Sequence, residues 1–172
     1  KELHAKGLLP KDKFIICNGY KRPMYQEFIV ELIQDGFENL TPILDSKREI
    51  NYYKEHLTTK TKIGIRIASE EEPSFEFYSS RLGIRYKDIL QFYKEQIEPD
   101  ERFELTMLHF FINSGIRDTV YYWSELSKCL QVYCDLKKFC PELCSLNIGG
   151  GLPIRNSLGF EFDYEYMVEE IV

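Results

Sequence analysis

Residues 143–154 read LCSLNIGGGLPI, an apolar run that closes on Gly149, Gly150 and Gly151. The run over 143–148 has the length and character of a buried strand. Glycine, lacking a Cβ, lets the backbone take positive φ or approach another group closely. Three glycines after a strand therefore make either a tight turn or a nest of backbone N–H groups that holds an anion, usually a phosphate. No Lys-Ser or Lys-Thr follows them, and their spacing does not match the dinucleotide fingerprint. The decision between turn and nest rests on what surrounds them.

Working outward, strand and helix signals alternate. FIICNG (14–19) reads as a strand closed by an Asn-Gly turn. RPMYQEFIVELIQDG (22–36) has a helical period, with Pro23 near its start and Gly36 at its end. LTPILD (40–45) is a second strand, weakened by Pro42. SKREINYYKEHL (46–57) is a helix in which Ser46 and Glu49 form a capping box. KIGIRIA (62–68) is a third strand, SEEEPSFEFYSS (69–80) an acidic loop and YKDILQFYKEQI (86–97) a helix. ELTMLHFF (104–111) is a fourth strand, followed by a long helix over 117–139, the fifth strand and a last helix from 163.

Strand–helix repeated five times predicts a parallel sheet. Right-handed crossovers then place every strand's carboxyl end on one side, where α/β proteins bind ligands. Asn18, Asp45, Arg66, Ser114 and Gly149–Gly151 converge there by topology, which moves the glycines from turn towards anion site. The fold class is α/β. The expected architecture is part of a (β/α)8 TIM-type barrel, with about five units in residues 1–172 against eight in a closed one. The alternative is an open parallel sheet.

Composition bounds the function. A chain of 172 residues, 44% hydrophobic, suits one globular core. A net charge of −6 disfavours a general nucleic-acid binder, and no apolar run is long enough to span a membrane. Five cysteines, an odd count without a CxxC pair, read as reduced thiols of a cytoplasmic protein.

In this order, CNGYK (17–21), GIRIAS (64–69), SSRLGI (79–84), LHFFINSGIRD (108–118) and SLNIGGGLPI (145–154) resemble the biosynthetic arginine decarboxylases. These are similar to ornithine and diaminopimelate decarboxylases, pyridoxal-phosphate enzymes with an alanine-racemase-like barrel. The resemblance covers nearly all of residues 1–172. It implies decarboxylation of arginine to agmatine in polyamine and spermidine synthesis, by a cytoplasmic homo-oligomer. Related decarboxylases of ornithine, diaminopimelate or carboxynorspermidine are the same-class alternative.

By position, the resemblance implies that Gly149, Gly150 and Gly151 hold the cofactor phosphate through backbone N–H groups. Ser114 adds a hydroxyl, and Arg66 sits beside the cofactor. Arg81 stands for a family lysine, with Leu82 for a phenylalanine. Phe111 stands where a histidine normally stacks on the cofactor ring; it can stack but neither hydrogen-bonds nor carries charge. Asn113 replaces a glycine and Asn147 an aspartate. Phe111 and Asn113 motivate a different-class alternative, a non-catalytic paralogue that binds a true decarboxylase. The resemblance also places the covalent cofactor lysine before Lys1, and the acidic pyridine partner and a second domain after Val172. Residues 1–172 alone are therefore expected to be inactive. Magnesium enters only through the resemblance, since no ligand set is visible for it.

His109 reads as a packed, hydrogen-bonded histidine, and His4 and His56 as solvated ones. His109, Ser114 and Asp118 do not make a hydrolase triad, because no Gly-x-Ser-x-Gly elbow is present. Glu70–Glu72 read as a solvated acidic loop. Tyr121, Tyr122 and Trp123 face different ways from their helix, partly into the packing.

Overall fold

The computed structural model describes residues 2–68, 82–112, 119–151 and 161–171. Five strands, β1 (Ile15–Cys17), β2 (Leu40–Leu44), β3 (Thr61–Arg66), β4 (Phe103–His109) and β5 (Ser145–Asn147), form one parallel sheet in the order β1-β2-β3-β4-β5. A doubly wound sheet reverses its strand order at a switch point. Strictly sequential order is what a barrel requires, so the sheet is a partial (β/α) barrel and the open doubly wound alternative falls. The helices are α1 (Glu2–Ala5), α2 (Pro23–Gln34), α3 (Glu49–His56), α4 (Tyr86–Phe92), α5 (Thr119–Lys137) and α6 (Tyr164–Ile171).

Local sequence explains the connections. Pro23 occupies the first turn of α2, where its missing N–H is not needed. Gly36 ends the helix at φ 88°: its N–H donates to Ile33 O and that of Phe37 to Leu32 O, a Schellman closure. Phe37 is then buried with Ile29, Leu32 and Ile33 under the sheet. The core is this apolar layer between helices and sheet, continued by Ile50, Tyr53, Ile89, Phe92, Leu126 and Leu143.

Three expectations are corrected. Ser46 does not cap a helix: α3 begins at Glu49, after Arg48, with no side-chain cap. The Glu49 carboxylate does reach back, but to the backbone N–H of Asp45 at 2.9 Å. Pro42 does not weaken β2, whose five residues are all buried between two neighbours. Pro42 stands opposite Cys17, and the register to β3 begins only at Ile43. The helix expected over 86–97 is α4 followed by a π-helical turn, Tyr93–Ile97. The wider turn brings Tyr93 and Ile97 to the same buried face. The acidic loop over 69–80 lies outside the described residues.

Candidate functional site

The carboxyl ends of β1, β2 and β3 converge on a buried group of charges. Lys21, four residues past β1, has a fully buried ammonium group. It lies 3.0 Å from Asp45 Oδ2 and 2.8 Å from Glu49 Oε1, and donates to the carbonyls of Ile43 (2.5 Å) and Gly19 (3.1 Å). A lone buried ammonium would be prohibitive; two carboxylates and two carbonyls replace its water. Burial raises the Glu49 carboxyl above its ordinary range, while the Lys21 charge and the Asp45 N–H oppose the rise.

Asp45 is fixed from several sides. Its carbonyl accepts the N–H of Gly83 at 2.7 Å, and Ile84 bridges to Arg66 O and Ala68 N. Gly83 takes φ 108° and leaves no room for a Cβ against Ala68. Gly83 and Ile84 thus tie the ends of β2 and β3 together.

Arg66, at the end of β3, presents Nη1 to Asp45 Oδ1 at 3.6 Å, an ion pair just longer than a hydrogen bond. Arg66 Nε and Asp45 Oδ1 are buried without a hydrogen-bond partner among the described residues. The guanidinium lies 5.7 Å from the centroid of the Phe111 ring, within cation–π range. Phe111 in turn lies against Gly149, where an added Cβ would be 2.5 Å from Phe110 O and 3.2 Å from Phe111 Cδ2.

Asn147 organises the glycine turn. Its Oδ1 accepts the Gly149 N–H at 2.9 Å, and its carbonyl accepts the Phe110 N–H at 3.1 Å. His109 Nδ1 lies 3.2 Å from the same carbonyl. Burial lowers the pKa of His109 below the ordinary imidazole value, as does the Arg66 charge. Gly149 and Gly151 take positive φ, 71° and 91°. Gly150 faces open space: a Cβ added there would meet no atom within 4 Å. One continuous path, Asp45–Arg66–Phe111–Gly149, therefore runs along the carboxyl ends of the strands.

Residues 4–171 match the family described as "Pyridoxal-dependent decarboxylase, pyridoxal binding domain". The chain belongs to that family. A biosynthetic arginine decarboxylase of Prochlorococcus marinus (strain MIT 9215) is 29% identical over 161 residues, covering 89% of this chain and 24% of the relative. Biosynthetic arginine decarboxylase 2 of a Synechocystis strain is 27% identical over 164 residues, covering 90% of this chain and 24% of the relative. The chain thus spans about a quarter of these relatives. Among solved structures, the lysine decarboxylase of Selenomonas ruminantium superposes with a TM-score of 0.75 at 20% identity, over 98% of this chain and 42% of that one. The biosynthetic arginine decarboxylase of Campylobacter jejuni gives 0.64 at 21% identity, over 91% and 26%.

Of the sequence-predicted site residues, Arg66, Phe111 and Gly149 are brought together; Ser114, Asn113 and Arg81 lie outside the described residues. The Gly149 N–H donates to Asn147 Oδ1, and Gly149 passes close to Phe110. Gly150 and Gly151 keep N–H groups without a protein acceptor among the described residues. Lys21 and Glu49 were missed. Both stand in the stretches CNGYK and SKREINYYKEHL, but nothing local to either announces a partner 28 positions away.

His109 is the packed, hydrogen-bonded residue expected, and His56 stacks on Tyr52 at 4.2 Å on the surface. His4 departs from expectation: it is partly buried, 3.0 Å from Asp35, with its edge against Phe28 and Phe37. Tyr122 is buried, Tyr121 and Trp123 partly so. All five cysteines are free thiols, and burial pushes that of Cys129 up to about 12. Among the described residues, no His, Cys, Asp or Glu group is placed to hold a metal ion, and no helix is long and apolar enough to cross a membrane.

Proposed function

We propose that this chain is the phosphate-holding wall of a pyridoxal-phosphate-dependent decarboxylase that converts L-arginine to agmatine and carbon dioxide. The observation that carries the reading is the continuous path Asp45–Arg66–Phe111–Gly149 at the carboxyl ends of the strands. The residues fit the cofactor on two counts. Arg66 keeps a buried Nε–H without an acceptor among the described residues. Gly150 opens on space that a side chain would fill.

In this reading the N–H groups of Gly150 and Gly151 hold the phosphate, with Ser114 adding its hydroxyl. Gly149 and Asn147 shape the turn that presents them. Phe111 would stack on the cofactor ring and exclude water from it. Arg66 directs its guanidinium at the site's polar edge. Bound pyridoxal phosphate supplies an electron sink for the pair left when carbon dioxide departs. The arginine decarboxylases among the relatives support arginine as substrate, and with it a place in polyamine and spermidine supply. A cytoplasmic homo-oligomer completes the proposal.

The test is carbon dioxide release by the full-length protein with pyridoxal phosphate, offered arginine, ornithine, lysine and diaminopimelate in parallel. Release from arginine alone is expected. Release from ornithine or diaminopimelate moves the specificity, and none from any refutes the catalytic reading. In that last case Phe111, which cannot hydrogen-bond, favours the second reading, a non-catalytic paralogue. Gly150→Ala is expected to keep the wild-type melting temperature and lose cofactor affinity about ten-fold or more, because the new methyl group occupies the cradle.

A further inference from the structure

Among the described residues Asp45 has two cationic neighbours and does not share itself equally between them. Lys21 Nζ lies 3.0 Å from Oδ2, within hydrogen-bond range, whereas Arg66 Nη1 stops at 3.6 Å from Oδ1. Glu49 draws Lys21 to the same place from the other side, at 2.8 Å, and its second oxygen holds the Asp45 N–H. Lys21 is anchored further by two main-chain carbonyls. The four charges balance: two cations and two anions, all with nearly buried side chains.

An arginine beside an uncommitted carboxylate normally closes on it as a two-pronged pair. Here Oδ2 is committed to a lysine, which holds the carboxylate where its unpartnered Oδ1 stays 3.6 Å from Arg66 Nη1, and Arg66 is left with a buried Nε–H that has no acceptor among the described residues. Leaving such a donor unpaired is costly unless something arrives to accept from it.

We propose that Lys21 is a positioning residue that keeps Arg66 available for an anionic or electron-rich ligand by holding Asp45 away from it. The proposal rests on the cofactor reading for the identity of that ligand, pyridoxal phosphate, but not for the geometry. Removing Lys21 leaves Asp45 with Arg66 as its only close cation among the described residues. The guanidinium then closes on the carboxylate and its free donors disappear.

Lys21→Met alone strands two buried carboxylates against one cation and risks misfolding. The variant to use is Lys21→Met/Glu49→Gln in the full-length protein, which keeps the cluster neutral and preserves an oxygen for the Asp45 N–H. Two readouts are needed. In its crystal structure the Arg66–Asp45 separation is expected to contract from 3.6 Å to hydrogen-bond length. Its affinity for pyridoxal phosphate, followed by the cofactor absorbance, is expected to fall about ten-fold or more. Adding Arg66→Met should cause no further loss, because the donors are already gone.

An unchanged separation overturns the proposal, as does an Arg66→Met loss that simply adds to that of the double variant. If the wild-type protein binds no pyridoxal phosphate, the cofactor reading fails and the contraction alone decides the role of Lys21.

Discussion

Gly149→Ala is expected to unfold the domain at a markedly lower temperature, and the magnitude follows from two independent strains. Gly149 sits at φ 71°, where an L side chain costs about 1–2 kcal/mol. Its new Cβ would also stand 2.5 Å from Phe110 O and 3.2 Å from Phe111 Cδ2. Phe110 has little freedom to step aside. Its N–H is held by Asn147 O at 3.1 Å, and its ring is buried, 6.0 Å from that of Tyr122. Overpacking of this kind costs about 1–3 kcal/mol. Together the two come to about 2–5 kcal/mol, which lowers the melting temperature by roughly 5–15 °C in a domain of this size. Gly150→Ala is the control, since its Cβ meets nothing within 4 Å. Thermal unfolding followed by circular dichroism compares the two. Equal melting temperatures for Gly149→Ala and Gly150→Ala would refute the argument that Gly149 is required by close approach rather than by anion binding.

Three further outcomes are expected. A Cβ at Gly64 would overlap Ile43 Cδ1, so Gly64→Ala should cost about 1–3 kcal/mol, and Ile43→Val, which removes that atom, should restore part of it. Denaturant titration of the single and double variants checks this; strictly additive losses would contradict the contact. His109 is held below its ordinary value of 6.5 in the folded state. The unfolded chain therefore takes up the proton first, and stability present above that pH is lost as the pH falls below it. His109→Gln should flatten this slope in chemical denaturation at stepped pH, and an unaltered slope would assign it to other groups. Phe111→Ala should weaken pyridoxal phosphate binding roughly three- to ten-fold through loss of aromatic stacking. Unchanged affinity by fluorescence titration would mean that residue 111 does not face the ring.

Much of this architecture was legible because it is written locally. Apolar runs of strand length, Pro23, Gly36 and the glycine turn at 149–151 each follow from the backbone preferences of a few adjacent residues. Sequential topology then dictates which ends converge, and Asp45, Arg66 and Gly149 do so. The remainder depends on contacts between distant segments. Whether Ser46 or Arg48 precedes α3 is decided by Glu49, which reaches back to the Asp45 N–H and turns towards Lys21 instead of closing a capping box with Ser46. Pro42 weakens a strand on local grounds, and only the register set by distant segments, opposite Cys17 and just ahead of the pairing with β3, shows how β2 accommodates it.

The two ends of the sheet carry their charges in opposite ways, and this asymmetry supports the proposed working end. At the amino ends, Asp100 pairs with Arg102 and Lys60 with Glu104, in water-exposed or half-exposed positions. Arg102 also caps the carbonyls of Lys54 and Leu57 with one nitrogen, so its donors are used within the fold. Such pairs contribute modestly and ask nothing of a ligand. At the carboxyl ends, Lys21, Asp45, Arg66 and His109 are all buried, and two of their polar atoms lack acceptors or donors among the described residues. A packed apolar cluster of the same volume is often as stable as buried ions, or more so. Charges retained at that cost, with a donor left open, lie beside a glycine turn in which a Cβ on Gly150 would meet nothing within 4 Å, and this supports the proposed ligand site. Under the proposed function, stability forgone at this end goes with ligand binding, and the ordinary surface pairs at the other end go with scaffold.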